Sequence, residues 1–121
     1  MARNLASAKA AGAKFNRDIV DCLAQHVSRF IDKAPLKGSK DEGDVLHLEN
    51  HLEQKIAGEC KNVTRLSLGT WANEAEAERI NLKAIAGVIF HKRHGKGNPL
   101  DQWVTMTVRD FIAIQTGVRP A

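Results

Sequence analysis

Cysteine is scarce in this chain. Its two cysteines, Cys22 and Cys60, lie far apart and form no Cys-x-x-C. A disulfide framework or a zinc knuckle is therefore not expected, and both read as small apolar residues of the interior. No apolar run is long enough to cross a bilayer. The opening Met1-Ala2-Arg3-Asn4 leads into a mixed Ala/Lys/Asn stretch without the apolar centre of a secretory signal, so the cytoplasm is the expected location. Internal repeats, collagen-like periods and a dividing linker are also missing. What is left is a 121-residue chain read as one domain over 1–121, long enough to bury roughly two thirds of its unfolded surface. Its formal charge is +4 and its pI is near 9.3, a balance that permits binding to nucleic acid without requiring it.

Phe15, Ile19, Cys22, Leu23 and His26 recur at helical spacing, widened by Val20 and Val27, which predicts a helix over about 6–27. Residues 28–35 read as a short strand with Phe30 at its centre. Residues 36–43, dense in glycine and charge, read as an exposed loop. Period-two alternation predicts a strand over 44–49, a turn over 50–53 and a returning strand over 54–61. A second helix is expected over about 68–86, with Ser67 as N-cap and Trp71, Ala75, Leu82 and Ile85 as its stripe. Strands at 88–90 and 103–106 and a helix at 108–115 complete the chain. This order predicts an α/β or α+β sandwich around one central sheet.

The chemistry centres on Asp44 and on Glu59-Cys60-Lys61. Alternate side chains of a strand share a face, so Glu59 and Lys61 point one way and Cys60 points into the packing on the other. Asp44 opens the partner strand, where it can sit beside Glu59. Two carboxylates and an ammonium would then converge. Hard oxygen ligands of this kind suit Mg²⁺ or Mn²⁺, and a cation there can polarise a phosphate oxygen while Lys61 stabilises developing charge. Taken alone, Glu-x-Lys is a common pair of solvated charges. The apolar Ile56-Ala57-Gly58 leading into Glu59 places it at the end of a buried strand.

Gly43-Asp44-Val45 followed by Glu59-Cys60-Lys61-Asn62 is similar to the PD-(D/E)XK nuclease signature. Residues 68–75, 88–95 and 103–106 (Leu68 to Ala75, Val88 to Gly95, Trp103 to Met106) together resemble Holliday-junction-resolvase-like proteins of actinobacterial phages, within the RecB-like and archaeal resolvase branches. The resemblance spans about 11–117. It implies a restriction-endonuclease-like αβββαβ core with a central mixed sheet flanked by helices. It also implies a Mg²⁺ (or Mn²⁺) cofactor and hydrolysis of DNA phosphodiester bonds in recombination or repair. On this basis Asp44 and Glu59 match metal ligands, the Cys60 carbonyl matches a further ligand and Lys61 matches the catalytic lysine. A homodimer acting on four-way junctions is implied as well, in host cytoplasm for a phage protein. Relatives often carry a glutamate on the first helix where this chain has Phe15-Asn16; an amide there binds a metal-held water but brings no charge.

Other residues have two readings. Glu74 and Glu78 read either as auxiliary groups for the metal or Lys61, or as partly exposed acids. Lys37 and Lys40, Arg65, and the run holding Lys92, Arg93 and Lys96 read as DNA phosphate contacts or as a solvated face. His47, His51, His91 and His94 read as surface histidines, and Trp71 and Trp103 as core or dimer-contact residues. Three functions stay open: a junction endonuclease, a weak or inactive junction-binding module of the same fold, and a nuclease for linear DNA. Superfamily motifs do not choose among substrates.

Overall fold

The computed structural model describes residues 4–35 and 41–121. Helix α1 (Leu5–His26) starts where the Asn4 side chain accepts from the Ser7 N–H at 2.8 Å, a standard N-cap. Its buried stripe is Phe15, Ile19 and Val20. Strand β1 (Asp32–Lys33) pairs antiparallel with β2 (Val45–Leu46) as a short ribbon. Strand β3 (Ile56–Lys61) pairs in parallel with β4 (Ala86–His91), and β4 pairs antiparallel with β5 (Trp103–Thr105). A parallel pair needs a crossover, which helix α2 (Leu68–Leu82) supplies. A short 3₁₀ turn (Pro99–Asp101) precedes β5, and helix α3 (Val108–Thr116) follows it. The fold is α/β, as expected.

The two faces of the β3–β4–β5 sheet are packed by different helices. Ile56, Val88 and Phe90 join Phe15, Ile19, Val20, Ile31, Val45 and Leu48 in the larger core, with Cys60 packed against it. Ile89 joins Trp71 and Ala75 of α2 on the opposite face. Each fully buried aliphatic or aromatic side chain of this kind contributes ~1.5–3 kcal/mol. The approach of α2 to β4 is close: a Cβ on Gly87 would lie 2.6 Å from the Ala75 carbonyl oxygen. Only glycine permits that spacing.

Several boundaries differ from the sequence reading. The strand expected over 28–35 shrinks to Asp32–Lys33, and Phe30 is exposed outside it. The strand expected over 44–49 is interrupted by His47 at φ 63°, a left-handed residue that breaks the alternation. Pairing with the next strand continues across the break, through Ile56 N–H to Leu48 O at 2.8 Å and a bridge between Glu49 and Lys55. The turn at 50–53 is present, with Asn50 Oδ1 accepting from Leu52 and Gln54 N–H. Helix α2 ends four residues earlier than expected. Lys83 adopts φ 57°, its N–H returns to Arg79 and Ile80 carbonyls, and the chain then enters β4. Ser67 occupies the N-cap position of α2 without a side-chain cap bond. Of the charged loop, residues 36–40 lie outside the described residues.

Helix α3 is fastened to β4 by polar groups. Thr107 caps it and donates to Asp110 Oδ2 at 2.7 Å. Asp110 Oδ1 accepts from Gly87 N–H at 3.2 Å and from Arg119 at 2.6 Å. Arg119 also reaches the Ile85 carbonyl and Glu76 of α2. Burial raises the Asp110 pKa, but these donors outweigh it and hold the carboxyl below its ordinary value.

Candidate metal centre

Strand β3 alternates as its sequence requires. Cys60 faces the α1 side, where it packs against the larger core. Lys61 reaches α2, its Nζ donating to Glu74 Oε2 at 2.8 Å. Glu59 shares that face. Burial, then the neighbouring Asp44 charge, push the Cys60 thiol well above its usual range, so it is an inert packing group.

Asp44 docks on β3 twice. Its N–H donates to Gly58 O at 2.7 Å, and its Oδ2 accepts from Cys60 N–H at 2.8 Å. That double attachment depends on Gly43. At φ 97° it holds a left-handed turn, and a Cβ there would stand 2.8 Å from the Gly58 carbonyl oxygen. Burial raises the Asp44 pKa. The Cys60 N–H opposes this, Asp41 adds to it, and Lys61 and Lys33 oppose it more weakly; the net direction is upward.

A third and a fourth carboxylate meet Glu59. Ligand-type oxygens of Asp41, Glu59 and Glu78 lie within 4.8 Å of one another, from three different segments of chain. Glu78 is 2% exposed, and among the described residues neither of its oxygens has a hydrogen-bond partner; Glu59 Oε2 is likewise buried without one. Burial, then the Asp41 and Asp44 carboxyls, push the Glu78 pKa up to about 8. Asp41 is set in place by its own backbone: Asn81 of α2 donates to its carbonyl at 2.8 Å, and Gly43 N–H donates to its Oδ1 at 2.9 Å. Such a triad of acids can hold a metal ion.

The structure therefore brings Asp44, Glu59, Cys60, Lys61, Glu74 and Glu78 to one region, and within it the side-chain oxygens of Asp41, Glu59 and Glu78 form a compact cluster. The reading of Glu78 as a partly exposed acid is corrected: α2 lies flat on the sheet, and position 78 falls on its buried side with Trp71 and Ala75. A charged residue inside that stripe was the available signal. Asp41 carried none, because a loop acid before a Gly-Asp turn looks like ordinary turn chemistry. Asn16 is half-buried with its Oδ1 buried and unpartnered, on the helix that packs against the other face of the sheet.

The basic residues gather at one end. Lys61 and His91 are register partners at the carboxyl ends of β3 and β4, and Lys92 N–H donates to Lys61 O at 3.0 Å. Lys92, Arg93 and Lys96 thus leave the sheet beside Lys61, and exposed Arg65 lies on the loop just after β3. The Lys92 ammonium donates to the Lys96 carbonyl. The Arg93 guanidinium lies 4.6 Å from the centre of the Trp103 ring, which is 47% exposed. Lys37 and Lys40 fall outside the described residues. His91 is not the surface residue expected. It is buried, its Nε2 is 2.6 Å from Thr105 Oγ1, its ring is 5.2 Å from Trp71, and burial lowers its pKa. No helix is long and apolar enough to cross a membrane among the described residues. Compared with family models, with curated proteins and with solved structures, the chain matches none.

Proposed function

We propose that the chain is a divalent-metal-dependent endonuclease that hydrolyses DNA phosphodiester bonds, with Mg²⁺ or Mn²⁺ as cofactor and branched DNA as substrate. The observation that carries the reading is the cluster of Asp41, Glu59 and Glu78 carboxylates, with Glu78 buried, formed in part by the strand that also carries Lys61. When bound, a divalent cation supplies Lewis acidity at the phosphate and a lowered pKa for water. The chain supplies the rest. Glu59 and the acids around it hold the cation. Lys61, oriented by Glu74, places a fixed positive charge where the transition state gathers negative charge. Arg65, Lys92, Arg93 and Lys96 offer phosphate contacts beside Lys61. The four-way junction as preferred substrate, and a homodimer that nicks it symmetrically, rest on the sequence resemblance.

The test is cleavage of a labelled synthetic four-way junction against a matched linear duplex, with Mg²⁺ or EDTA, for the native chain and Glu59→Ala. Symmetric nicks on the junction alone, lost with EDTA and in the variant, are expected. Equal cleavage of both substrates would keep the nuclease and remove the junction assignment. Tight junction binding without cleavage under any metal would replace the enzyme with a binding module.

A further inference from the structure

The helix-borne acid of this centre has a specific source. Two residues on the inner side of α2 turn toward the segment before β2: Glu78, one of the cluster acids, and Asn81, whose amide holds the Asp41 backbone at 2.8 Å. Asp41 and Asp44 are then locked on either side of Gly43, which only glycine can occupy against Gly58. The result is a cluster of carboxylate oxygens, one from α2, one from β3 and one from the connecting segment. Glu78 is the telling member. It is almost wholly buried, neither oxygen has a donor among the described residues, and one of them lies within 4.8 Å of ligand oxygens of Asp41 and Glu59. The charged groups acting on it, Asp41 and Asp44, are both acids. A buried carboxylate with only other acids for company costs several kcal/mol unless it gains a proton or a cation. Folds keep such groups where function uses them.

The spacing suits a hard cation. Ligand oxygens of six-coordinate Mg²⁺ or Mn²⁺ stand roughly 3–4.3 Å apart, from metal–oxygen distances of about 2.1 Å. The cluster's oxygens all lie within 4.8 Å of one another, near enough for side-chain movement to bring them onto one cation. The donors are all oxygen, which selects against soft metals. Asp44 has one oxygen committed to the Cys60 N–H.

We infer that Asp41, Glu59 and Glu78 form a binding site for a hard divalent cation of the Mg²⁺/Mn²⁺ class, with Glu78 contributed by α2. The site deepens the nuclease reading and rests on it for its chemistry, but not for the binding itself. The helix α2 and the Asp41–Asp44 segment are joined through the cation in addition to the Asn81 bond.

Mn²⁺ binding to the full chain, counted by electron paramagnetic resonance of the free ion, tests this apart from cleavage. Glu78→Gln and Asp41→Asn are each expected to weaken Mn²⁺ binding by more than about tenfold, with the circular dichroism spectrum retained. Asp101→Asn, an exposed acid on the 3₁₀ turn, is expected to bind as the native chain does. Asp41→Asn keeps the Oδ1 acceptor for Gly43, so it reports on the site even if Glu78→Gln folds poorly. Native affinity in both variants, or no binding by the native chain at millimolar Mn²⁺, overturns the site. Metal-dependent cleavage with unchanged affinity in both variants would move the cation to Asp44 and Glu59, overturning this site while the nuclease stands. Mn²⁺ binding lost in the variants, without cleavage of any DNA, supports the site and removes the nuclease.

Discussion

Replacing Glu78 by glutamine should stabilise the metal-free protein. The carboxyl has an ordinary pKa of 4.5 and is pushed up to about 8 in the fold by burial and by Asp41 and Asp44. A raised pKa for an acid means that the native state keeps a proton which the unfolded chain has released. The native state is then penalised wherever the pH lies above the unfolded value. Below pH 4.5 both states are protonated and there is no penalty. Stability falls as pH rises from there, and levels off once the native carboxyl ionises near pH 8. Linkage sets the loss at ~3 kcal/mol by pH 7 and ~5 kcal/mol in full. Glutamine cannot ionise and has nearly the same shape. Its amide is buried as poorly as the protonated acid, so the net gain at pH 7 should be ~2–3 kcal/mol. For a domain of this size that is a rise in midpoint temperature of roughly 10 °C. The assay is urea unfolding in EDTA at pH 5, 6, 7 and 8, followed through the fluorescence of buried Trp71. The native chain should lose stability steadily across that series, and the variant should lose much less. Some slope will remain, because the Asp44 pKa is also raised. If Glu78→Gln is less stable than the native chain at pH 7, or keeps the full native slope, the account of Glu78 as an uncompensated buried acid is wrong.

Glu74→Gln should cut turnover of a cleaved substrate by roughly tenfold, since it releases the Lys61 ammonium. Its effect on stability should stay below ~1 kcal/mol, because the pair is partly exposed; urea midpoints and single-turnover rates separate the two. Asp110→Ala should cost ~3–5 kcal/mol, because Arg119 is left half-buried without its main partner. The native Asp110 carboxyl has a lowered pKa, so its contribution is present above the ordinary value of 3.8 and disappears as pH falls through the folded value. Acid unfolding of the native chain should show this as a loss below pH 4 that Asp110→Ala lacks. Gly43→Ala should destabilise by at least ~1 kcal/mol from its left-handed φ alone, and should weaken Mn²⁺ binding by displacing Asp41 and Asp44 together. Arg93→Ala should lower the slope of log junction affinity against log salt by about 0.9 if the guanidinium meets a phosphate, and leave it unchanged if the group only covers Trp103.

The parts of this molecule that could be read from sequence are those where one residue's neighbours decide its fate. The long stripe from Phe15 to Leu23 has a single period and a capping Asn4, and α1 follows. Glu59-Cys60-Lys61 alternates because a strand must, so Cys60 entered the α1 core and Lys61 turned to α2 without any knowledge of the partners. Failures occur where a single backbone angle or a distant element decides. His47 at φ 63° and Lys83 at φ 57° interrupt patterns that the side chains would have let continue, and neither is a glycine that would have announced the turn. His91 looked like the start of a basic surface run, yet its register opposite Lys61 and Trp103 puts it beneath Trp71. The candidate site divides along the same line. Glu59 and Lys61 were legible as strand positions, whereas Asp44, expected to open a strand, sits in the bend just before β2. Asp41 became relevant only through Asn81, forty residues away, and through Gly43 lying against Gly58. Glu78 lies between these cases: its place among Trp71, Ala75 and Leu82 put it in the apolar stripe, where an acid is costly without a partner, but left open whether it was partly exposed. What sequence could not supply was the identity of that partner, because the two chain segments that meet Glu78, one carrying Asp41 and one carrying Glu59, are brought to α2 only by the fold. A site assembled in this way is sensitive to the packing of α2 on the sheet. The close approach at Gly87, where a Cβ would lie 2.6 Å from the Ala75 carbonyl oxygen, is one helical turn from Glu78 and so bears directly on how near α2 carries that acid to Glu59.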